Sequence, residues 1–418
     1  MLIRGGRLVD PSQDIDAVRD LRISNGRVAE IAEHLTPRAD EEIFDASNAV
    51  VAPGFIDMHV HLREPGFPEK ETIASGTVAA IRGGFTAVAC MPNTRPALDT
   101  PEVLARLDAI VARDAQCRVY PVAAITRERA GREPVDFHAL AAAGAVAFSD
   151  DGNTTASARA LREAALQARE VRGVFISHAE DEELKGDGVM NAGPVAAALG
   201  VPGAPSVSED IIVARDLLIA LDTGKAWHIA HCSTARALDL VRWSRAQGGR
   251  ATCEVTPHHL LLTDEAVREW GAAAKVNPPL RGEADTRALR DGVRDGTIDV
   301  FATDHAPHTD AEKGDLRSAA VGFTGLEIAI GAYALAVPDL PLLRFVAMLS
   351  TNPARILGVE GGTLCTGSRA DVTIFADRPW VVDPRSFASK GHTTPFKSAT
   401  LPRRAIATIV GGELRRRA

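Results

Sequence analysis

Short apolar runs alternate with helix-like stretches over most of this 418-residue chain. The runs are rich in Val, Ile, Ala and Phe, as is typical of strands that are buried on both faces of a sheet. Helical patterns rich in Ala, Leu, Arg and Glu occur between them, at 101–113, 157–171 and 234–247. Eight runs are predicted to be strands: 50–56, 86–91, 118–125, 145–148, 173–177, 226–230, 251–255 and 299–302.

Eight successive alternations of strand and helix predict an α/β fold with a parallel sheet, and a (β/α)8 TIM barrel is the most economical arrangement. The two ends of the chain differ from this pattern. Short β-like runs occur at 1–9, 21–24 and 27–32, and again at 371–376 and 405–410. We therefore expect a small β-sandwich domain formed by both termini, with 1–51 and 356–418 as its halves and 52–355 as the barrel.

Charge and composition narrow the possible functions. The formal net charge is −8, which argues against a nucleic-acid partner because phosphate binding depends on clustered Lys and Arg. The one basic cluster, at 415–417, is expected to be solvated. Five cysteines without a Cys-x-x-Cys pair favour reduced thiols and a cytoplasmic location. Without an apolar run of about 18 residues, no membrane span is expected.

Polar residues that can bind metals recur where the predicted strands end. Because the carboxyl ends of barrel strands meet at one mouth, these side chains are expected to converge on one site. Motifs for a P-loop, a dinucleotide fold or a nucleophile elbow do not occur. In chain order the residues are His59, His61, Asn93, Asp150, Asp151, His178, His231, His258, His259 and Asp304.

The His59-Val60-His61 segment gives the strongest metal signal. Residues i and i+2 of a strand point the same way, so both imidazoles can reach one ion, and zinc accepts such nitrogens. His178 and His231 each end a predicted strand and are further candidates. His228 lies three residues before His231, faces away from it and is assigned to packing.

Carboxylates complete the predicted site. Asp150 or Asp151 could bridge two zinc ions, although a plain Asp-Asp-Gly turn is the alternative. No lysine lies near them, which disfavours a carbamylated-lysine bridge. Asp304 can contact a metal and act as the general base, because zinc lowers the pKa of bound water to about 7. A helix N-cap role is its alternative.

Several other polar residues have more than one interpretation. Arg63, Asn93 and His308 could hold a substrate carboxylate, for which the guanidinium fork is suited. The His258-His259 pair is interpreted as packed or hydrogen-bonded rather than metal-binding, and His305 as supporting or structural. Two stretches, 181–208 and 308–323, are predicted to be loops. The second could close over the barrel mouth or be an ordinary surface loop.

Two motifs together resemble the type I dihydroorotases of the amidohydrolase superfamily. The segment from Pro53 to Arg63, PGFIDMHVHLR, is similar to the first metal motif of that superfamily. The segment from Ala302 to His308, ATDHAPH, is similar to a second motif of dihydroorotases. The likeness continues to Asn352-Pro353-Ala354 and so covers nearly the whole chain.

The resemblance implies an enzyme that interconverts N-carbamoyl-L-aspartate and (S)-dihydroorotate in pyrimidine biosynthesis, with one or two zinc ions. A homodimer and a complex with aspartate carbamoyltransferase are family-based expectations. By position, the implied metal ligands are His59, His61, Asp151, His178, His231 and Asp304. The implied substrate residues are His61, Arg63, Asn93, Asn277, His308 and the backbone of Gly322 and Phe323.

Two rival functions use the same fold. Hydantoinases, dihydropyrimidinases and allantoinases open other cyclic amides, but they generally use a carbamylated lysine and lack the Asp-Asp-Gly pattern. Inactive dihydroorotase-like chains act as scaffolds for aspartate carbamoyltransferase, but they usually lose metal ligands. This chain keeps all six candidates, so we expect an active enzyme.

Overall fold

The computed structural model describes residues 1–417 and begins with strands of the small domain. These strands pair with strands from the other end of the chain in one eight-stranded sheet. Both termini therefore form the β region, as predicted from the sequence. The N-terminal strands are β1 (Leu2–Asp10), β2 (Ile15–Ser24), β3 (Arg27–Ala32), β4 (Ile43–Asp45) and β5 (Val50–Pro53).

The middle of the chain contains the barrel strands. Eight of them pair in parallel in chain order, and the first and last meet through a bridge between Val60 and His305. This confirms the predicted TIM barrel. The strands are β6 (Phe55–Val60), β7 (Phe85–Cys90), β8 (Arg118–Ala123), β9 (Ala147–Ser149), β10 (Val174–Ser177), β13 (Trp227–Ile229), β14 (Ala251–Val255) and β15 (Val300–Phe301), with the two-stranded ladder β11 (Met190–Asn191) and β12 (Gly203–Ala204) inserted after β10.

Helices follow most barrel strands and cover the outside of the sheet. The predicted helices α2, α4 and α8 begin at side-chain caps, in which Thr100, Ser157 and Thr234 accept backbone N–H groups. The helices are α1 (Ile73–Gly83), α2 (Pro101–Asp114), α3 (Phe137–Ala142), α4 (Ala158–Gln167), α5 (Glu182–Lys185), α6 (Pro194–Leu199), α7 (Val207–Thr223), α8 (Ala235–Ala246), α9 (Pro257–Leu261), α10 (Ala266–Trp270), α11 (Glu283–Asp295), α12 (Ala329–Ala336), α13 (Leu342–Val346) and α14 (Asn352–Leu357).

The C-terminal strands return to the small domain. β5 pairs with β1 on one side and with β16 on the other, which joins the two ends of the chain. This pairing continues to Pro53, two residues past the predicted limit at 51, and the domain limits themselves stay a prediction. The strands are β16 (Val372–Ala376), β17 (Trp380–Val381), β18 (Thr400–Leu401), β19 (Arg404–Val410) and β20 (Glu413–Arg417).

The predicted first barrel strand, 50–56, was wrong in its bounds. Residues 50–53 belong to β5 of the small domain, and the barrel strand begins at Phe55. The run is buried almost throughout, so its hydrophobicity does not reveal the change of sheet at Gly54. A β-carbon at Gly54 would lie 2.2 Å from Thr86 Oγ1, so the crossing requires glycine. As a result, His59 lies inside β6 rather than after it.

The predicted loop 181–208 was also wrong in part. It contains α5, α6 and the ladder of β11 with β12. Each of these elements has six residues or fewer, too short for a periodic pattern among so many Gly and Pro residues. Within 308–323 the only helical turn in the described structure is the 3-10 turn Asp310–Lys313. No helix within residues 1–417 is long and apolar enough to cross a bilayer.

Small apolar side chains fill the barrel interior, which leaves its mouth to polar groups. Ala87, Ala89, Ala147 and Ala302 are buried there, and Leu357 of α14 belongs to the same cluster. Such filling makes a barrel a packed core rather than a pore.

Tyr333 of α12 joins the carboxyl end of β14 to the segment after β15 through two hydrogen bonds. Its hydroxyl lies 2.7 Å from Ala302 O and 3.0 Å from Val255 O, and its ring stacks on Phe301 at 4.0 Å. Since Asp304 follows Ala302 by two residues, this contact helps fix one wall of the site.

We predict that Tyr333→Phe lowers the free energy of unfolding by about 1–2 kcal/mol, because a buried carbonyl loses its donor. Urea denaturation measures the change. Tyr120→Phe is the control, since that partly buried tyrosine neighbours Arg369 rather than buried carbonyl groups and its loss should change stability by less than about 1 kcal/mol. Unchanged stability of the Tyr333 variant would contradict this role.

Candidate metal centre

His59 and His61 project from the end of β6 into the barrel mouth. Their rings are 5.4 Å apart, and both approach the carboxylate of Asp151. His59 Nε2 lies 3.3 Å from Asp151 Oδ1, and His61 Nε2 lies 3.5 Å from Asp151 Oδ2. Asp304 Oδ1 lies 3.0 Å from His61 Nε2 and 3.6 Å from His59 Nε2. Four of the predicted ligands thus surround one point.

His178 and His231 approach the same carboxylate oxygen as His59. His178 Nδ1 is 3.5 Å and His231 Nε2 is 3.7 Å from Asp151 Oδ1. Asp151 therefore belongs to two groups whose ligand atoms all lie within 4.8 Å of one another, one with His59 and His61 and one with His178 and His231. The structure brings all six predicted metal ligands together.

The donor atoms of this cluster fit a bound divalent metal. His59 Nε2 and Asp151 Oδ1 are buried, and neither has a hydrogen-bond partner among the residues that the structure describes. Leaving a buried polar atom unpaired costs about 1–3 kcal/mol, so such atoms normally have a partner. Imidazole nitrogen and carboxylate oxygen are ligands that zinc prefers.

The electrostatics of the cluster also favour a cation. Burial lowers the pKa of His59, but the carboxylates of Asp151 and Glu254 outweigh burial and leave that pKa well above its usual value. Burial raises the pKa of Asp151, yet the neighbouring imidazoles of His59, His178 and His231 hold it well below its usual value. Both carboxylates of the cluster are therefore ionised at neutral pH, since the pKa of Asp304 is also lowered against burial by His61 and His59.

Three residues at the mouth have left-handed backbone conformations. The φ angles are +64° at Arg63, +31° at His231 and +49° at Asp304. Such conformations cost non-glycine residues about 1–3 kcal/mol and concentrate at functional sites. Here they turn the chain just after a strand and direct each side chain into the mouth.

Asp150 does not contribute to the cluster. Its Oδ1 accepts the N–H groups of Ile125 and Thr126, and its Oδ2 accepts the hydroxyls of Thr126 and Thr155. These bonds hold the turn that presents the next residue, Asp151, to the histidines. Of the two aspartates left open by residue chemistry, Asp151 is thus the one in the site.

Glu254 is a supporting residue that sequence reasoning missed. Its Oε1 lies 2.6 Å from His59 Nδ1, and its Oε2 lies 3.1 Å from His228 Nε2. A carboxylate at Nδ1 fixes the imidazole tautomer, so that Nε2 presents its lone pair to the cluster. His228 is a packed residue, as predicted. The available signal was a glutamate within the apolar run 251–255.

Asp57 is a second missed support. Its carboxylate accepts Thr303 Oγ1 at 2.5 Å and the backbone N–H of His59 at 3.1 Å. It therefore joins β6 to the segment that carries Asp304. The available signal in the sequence was an aspartate in the otherwise apolar segment just before His59.

The remaining histidines near the mouth make their contacts outside the cluster. His259 Nδ1 lies 2.7 Å from Thr256 Oγ1 and its Nε2 lies 3.0 Å from Pro278 O, so it holds the segment that carries Asn277. The ring of His258 packs on Phe323 at 4.9 Å, and burial lowers its pKa to about 3. His305 Nδ1 accepts Gly325 N–H. These contacts agree with the packed or hydrogen-bonded interpretation.

A cavity of about 390 Å³ opens above the cluster. Arg63 Nη2 lies 3.1 Å from His308 Nε2, and Asn93 Oδ1 lies 2.9 Å from His61 Nδ1. Burial lowers the pKa of His308 to about 3 and that of Arg63 to about 10, so one is neutral and the other cationic at pH 7. Of the predicted substrate residues, those that line the cavity are His61, Arg63, Asn93, Asn277, His308 and Gly322.

Other lining residues complete or correct this picture. Phe323 is not in the lining; its backbone oxygen accepts Ala306 N–H and its ring faces His258. Lys70 and Arg129, which sequence reasoning did not single out, do line the cavity. Arg129 Nη1 donates to Asp151 O at 2.7 Å and so supports the central ligand.

Comparison with known proteins places this geometry in a family. A family model described as dihydro-orotase-like matches residues 48–237. The dihydroorotase of Pelotomaculum thermopropionicum is 48% identical, covering 99% of this chain and 98% of its own length. The dihydroorotase of Syntrophus aciditrophicus is 44% identical, with coverages of 99% and 98%.

The chain belongs to the dihydroorotase family. This confirms the resemblance drawn from the two motifs. Among solved structures, the L-hydantoinase of Arthrobacter aurescens superposes with a TM-score of 0.88 at 24% identity, covering 99% of this chain and 95% of that one. The D-hydantoinase of Bacillus sp. AR9 gives a TM-score of 0.85 at 21% identity, with coverages of 100% and 95%. At such identities the structures show a shared fold.

For this member of the dihydroorotase family, we predict that Glu254→Gln weakens metal binding about 10–100-fold, because His59 loses the carboxylate that orients it. Competition with a chromogenic chelator measures the affinity. Thr252→Val is the matched control, since Thr252 Oγ1 contacts His228 Nδ1 at 2.8 Å and does not contact His59. Equal metal affinity in the Glu254 variant and the wild type would refute the orienting role.

Proposed function

We propose that the chain is a zinc-dependent dihydroorotase that reversibly cyclises N-carbamoyl-L-aspartate to (S)-dihydroorotate and water. One observation carries the proposal: the Asp151 carboxylate lies between two pairs of histidines, directly under a cavity walled by Arg63 and His308. Family membership supports the activity, and the cavity supports a small substrate that carries a carboxylate.

The cluster has ligands for two zinc ions. His59, His61, Asp151 and Asp304 would hold one, and His178 and His231 would hold the second with Asp151 shared. When bound, zinc supplies Lewis acidity that polarises the reacting carbonyl and makes water more acidic. Asp151 approaches histidines of both groups, which fits an aspartate in the bridging position.

Asp304 is the proposed general base. It lines the cavity, and because its pKa is held low by His61 and His59 against burial, it is ionised and able to accept a proton at neutral pH. In ring opening it takes the proton from the attacking water and gives it to the departing ring nitrogen. In ring closure it takes the proton from that nitrogen and returns it to the leaving oxygen.

Arg63, Asn93 and His308 form the proposed carboxylate clamp. A guanidinium can bind a carboxylate through two parallel hydrogen bonds, and Asn93 supplies amide donors beside it. Asn277 lines the same cavity and can hydrogen-bond to the substrate ring. Binding the carboxylate places the ring amide over the cluster before any bond changes. Such positioning accelerates the reaction because the reacting groups are already held in the right geometry.

Turnover of the purified, metal-assayed chain tests the proposal. Hydrolysis of dihydroorotate, followed by ultraviolet absorbance, is expected, with hydantoin and allantoin turned over at least about 100-fold more slowly in kcat/KM. Hydantoin turnover without dihydroorotate turnover would assign the chain to another cyclic amide. Loss of both metal and activity would favour the scaffold alternative.

Asp304→Asn should lower kcat about 10²–10⁴-fold while most of the metal stays bound, because the amide cannot accept the proton. Stopped assays and metal analysis give the two quantities. Asp310→Asn is the control, since that exposed aspartate lies six residues on and outside the cavity lining. A variant with wild-type kcat would remove Asp304 from the mechanism.

Arg63→Gln should lower kcat/KM for dihydroorotate about 100-fold, the loss of a charged bidentate contact. Hydrolysis of 5,6-dihydrouracil, the same ring without the carboxylate, should change less than about threefold. Arg95→Gln is the matched control, because Arg95 lines the cavity but places its guanidinium 5.3 Å from the Phe67 ring. An equal loss of kcat/KM on both substrates would mean that Arg63 does not bind the carboxylate.

The remaining expectations follow from family membership. We propose that the reaction serves pyrimidine biosynthesis in the cytoplasm, that the chain forms a homodimer, and that it can associate with aspartate carbamoyltransferase. Five free cysteines, four of them buried, are compatible with a reducing compartment.

A further inference from the structure

A second cavity, of about 290 Å³, lies between the barrel helix α1 and the C-terminal part of the chain. We call it the arginine cavity. None of its lining residues lines the cavity above the metal cluster. The side chains that define it are Arg82 of α1, Glu327, Trp380 of β17, Phe387, Arg404 of β19 and Arg416 of β20.

Positive charge exceeds negative charge in this lining. Glu327 is the one acidic residue, and its Oε1 already accepts the Ala388 N–H at 2.6 Å. Its Oε2 lies 3.7 Å from Arg82 Nη1, which also donates to Ser386 O. Within the described chain, Arg404 and Arg416 have no carboxylate within 4 Å. The cavity thus contains three guanidinium groups and one carboxylate, and that carboxylate already accepts a backbone N–H group.

Three positive charges around one cavity repel one another unless a further anion is bound. Burial lowers the pKa of Arg416 to about 10, and the charges of Arg404 and Arg82 lower it as well, although Glu327 acts in the opposite direction. By contrast, Arg403, next in sequence to Arg404, is paired with Asp377 at 2.6 Å. Arg404 and Arg416 therefore face the cavity without a carboxylate partner, and an incoming anion would relieve their mutual repulsion.

One wall of the arginine cavity is apolar. Trp380 donates its Nε1–H to Arg403 O at 3.1 Å, which holds the indole in place. Arg404 Cζ lies 5.9 Å from the centroid of that ring, and the buried ring of Phe387 stands beside it in the lining. A ligand could therefore place a charged group among the arginines and a planar or apolar group against the rings.

We propose that the arginine cavity binds a small phosphate-bearing molecule with an apolar or planar group. Phosphate offers three acceptor oxygens, and guanidiniums bind it through paired hydrogen bonds. Several guanidiniums around one cavity suit its double charge better than the single charge of a carboxylate. The volume is close to the lower limit of about 300 Å³ for small-molecule sites.

One residue of the basic cluster 415–417, which was expected to be solvated, lines the arginine cavity. Arg415 pairs with Glu413 at 2.6 Å and is exposed, as expected. The expectation was wrong for Arg416, which lies opposite Thr408 in the ladder with β19 and is half-buried in the cavity. Neighbouring residues of a strand face opposite sides, so one arginine enters the cavity while the preceding one does not.

Isothermal titration calorimetry with inorganic phosphate and phenyl phosphate tests the proposal on the full-length, metal-loaded protein. We expect one equivalent of each to bind, with phenyl phosphate bound about tenfold more tightly. Arg404→Gln and Arg416→Gln should each weaken binding at least tenfold. Arg415→Gln, which removes the same charge from the same strand, should leave it unchanged. Binding that is insensitive to the first two substitutions, or equally sensitive to all three, would overturn the proposal.

Thermal unfolding without added phosphate separates a binding role from a structural one. If the arginines await an anion, Arg416→Gln relieves repulsion, and the midpoint stays equal or rises. A merely structural arginine would lower the midpoint when replaced, and that result would contradict the site. Dihydroorotate turnover should be unchanged in all three variants, which shows that the fold and metal centre are intact and keeps this test separate from the proposed activity.

Discussion

The Asp151 carboxylate lies between two pairs of histidines in a buried part of the barrel mouth, and the rest of the site is arranged around it. A buried carboxylate with an unpaired oxygen is unstable unless a cation compensates its charge. His59 and His61 form one group with Asp151, and His178 and His231 form a second. The cluster thus combines negative charge with free lone pairs, and a divalent metal would compensate the first and use the second.

Barrel topology is what brings these side chains together. The ligands come from β6 and from the ends of β9, β10, β13 and β15, which are far apart in sequence but belong to one barrel and end at the same mouth. Supporting contacts fix their orientation: Glu254 holds His59, Asp57 joins β6 to the Asp304 segment, and Asp150 holds the turn at Asp151. Metal binding, and with it the proposed catalysis, is therefore expected to depend on these buried polar contacts.

Much of the site could be predicted because each ligand lies near the carboxyl end of an apolar strand or just after it, and strand ends converge in a barrel. Glu254 could not be assigned, since its partner His59 is 195 positions away in sequence and only the folded sheet makes them neighbours. At Gly54 the chain passes from the sheet of the small domain into the barrel. The sequence does not show this change, because the apolar run is buried in both sheets. Arg416 was misassigned because a basic tripeptide gives no sign that one of its members points into a cavity.

Anomalous diffraction at the zinc absorption edge, on crystals of the zinc-loaded protein, tests the two-metal account most directly. The account predicts two peaks, one beside His59 and His61 and one beside His178 and His231, with the Asp151 carboxylate between them. A single peak, or peaks away from Asp151, would contradict the bridging role on which the proposed function rests.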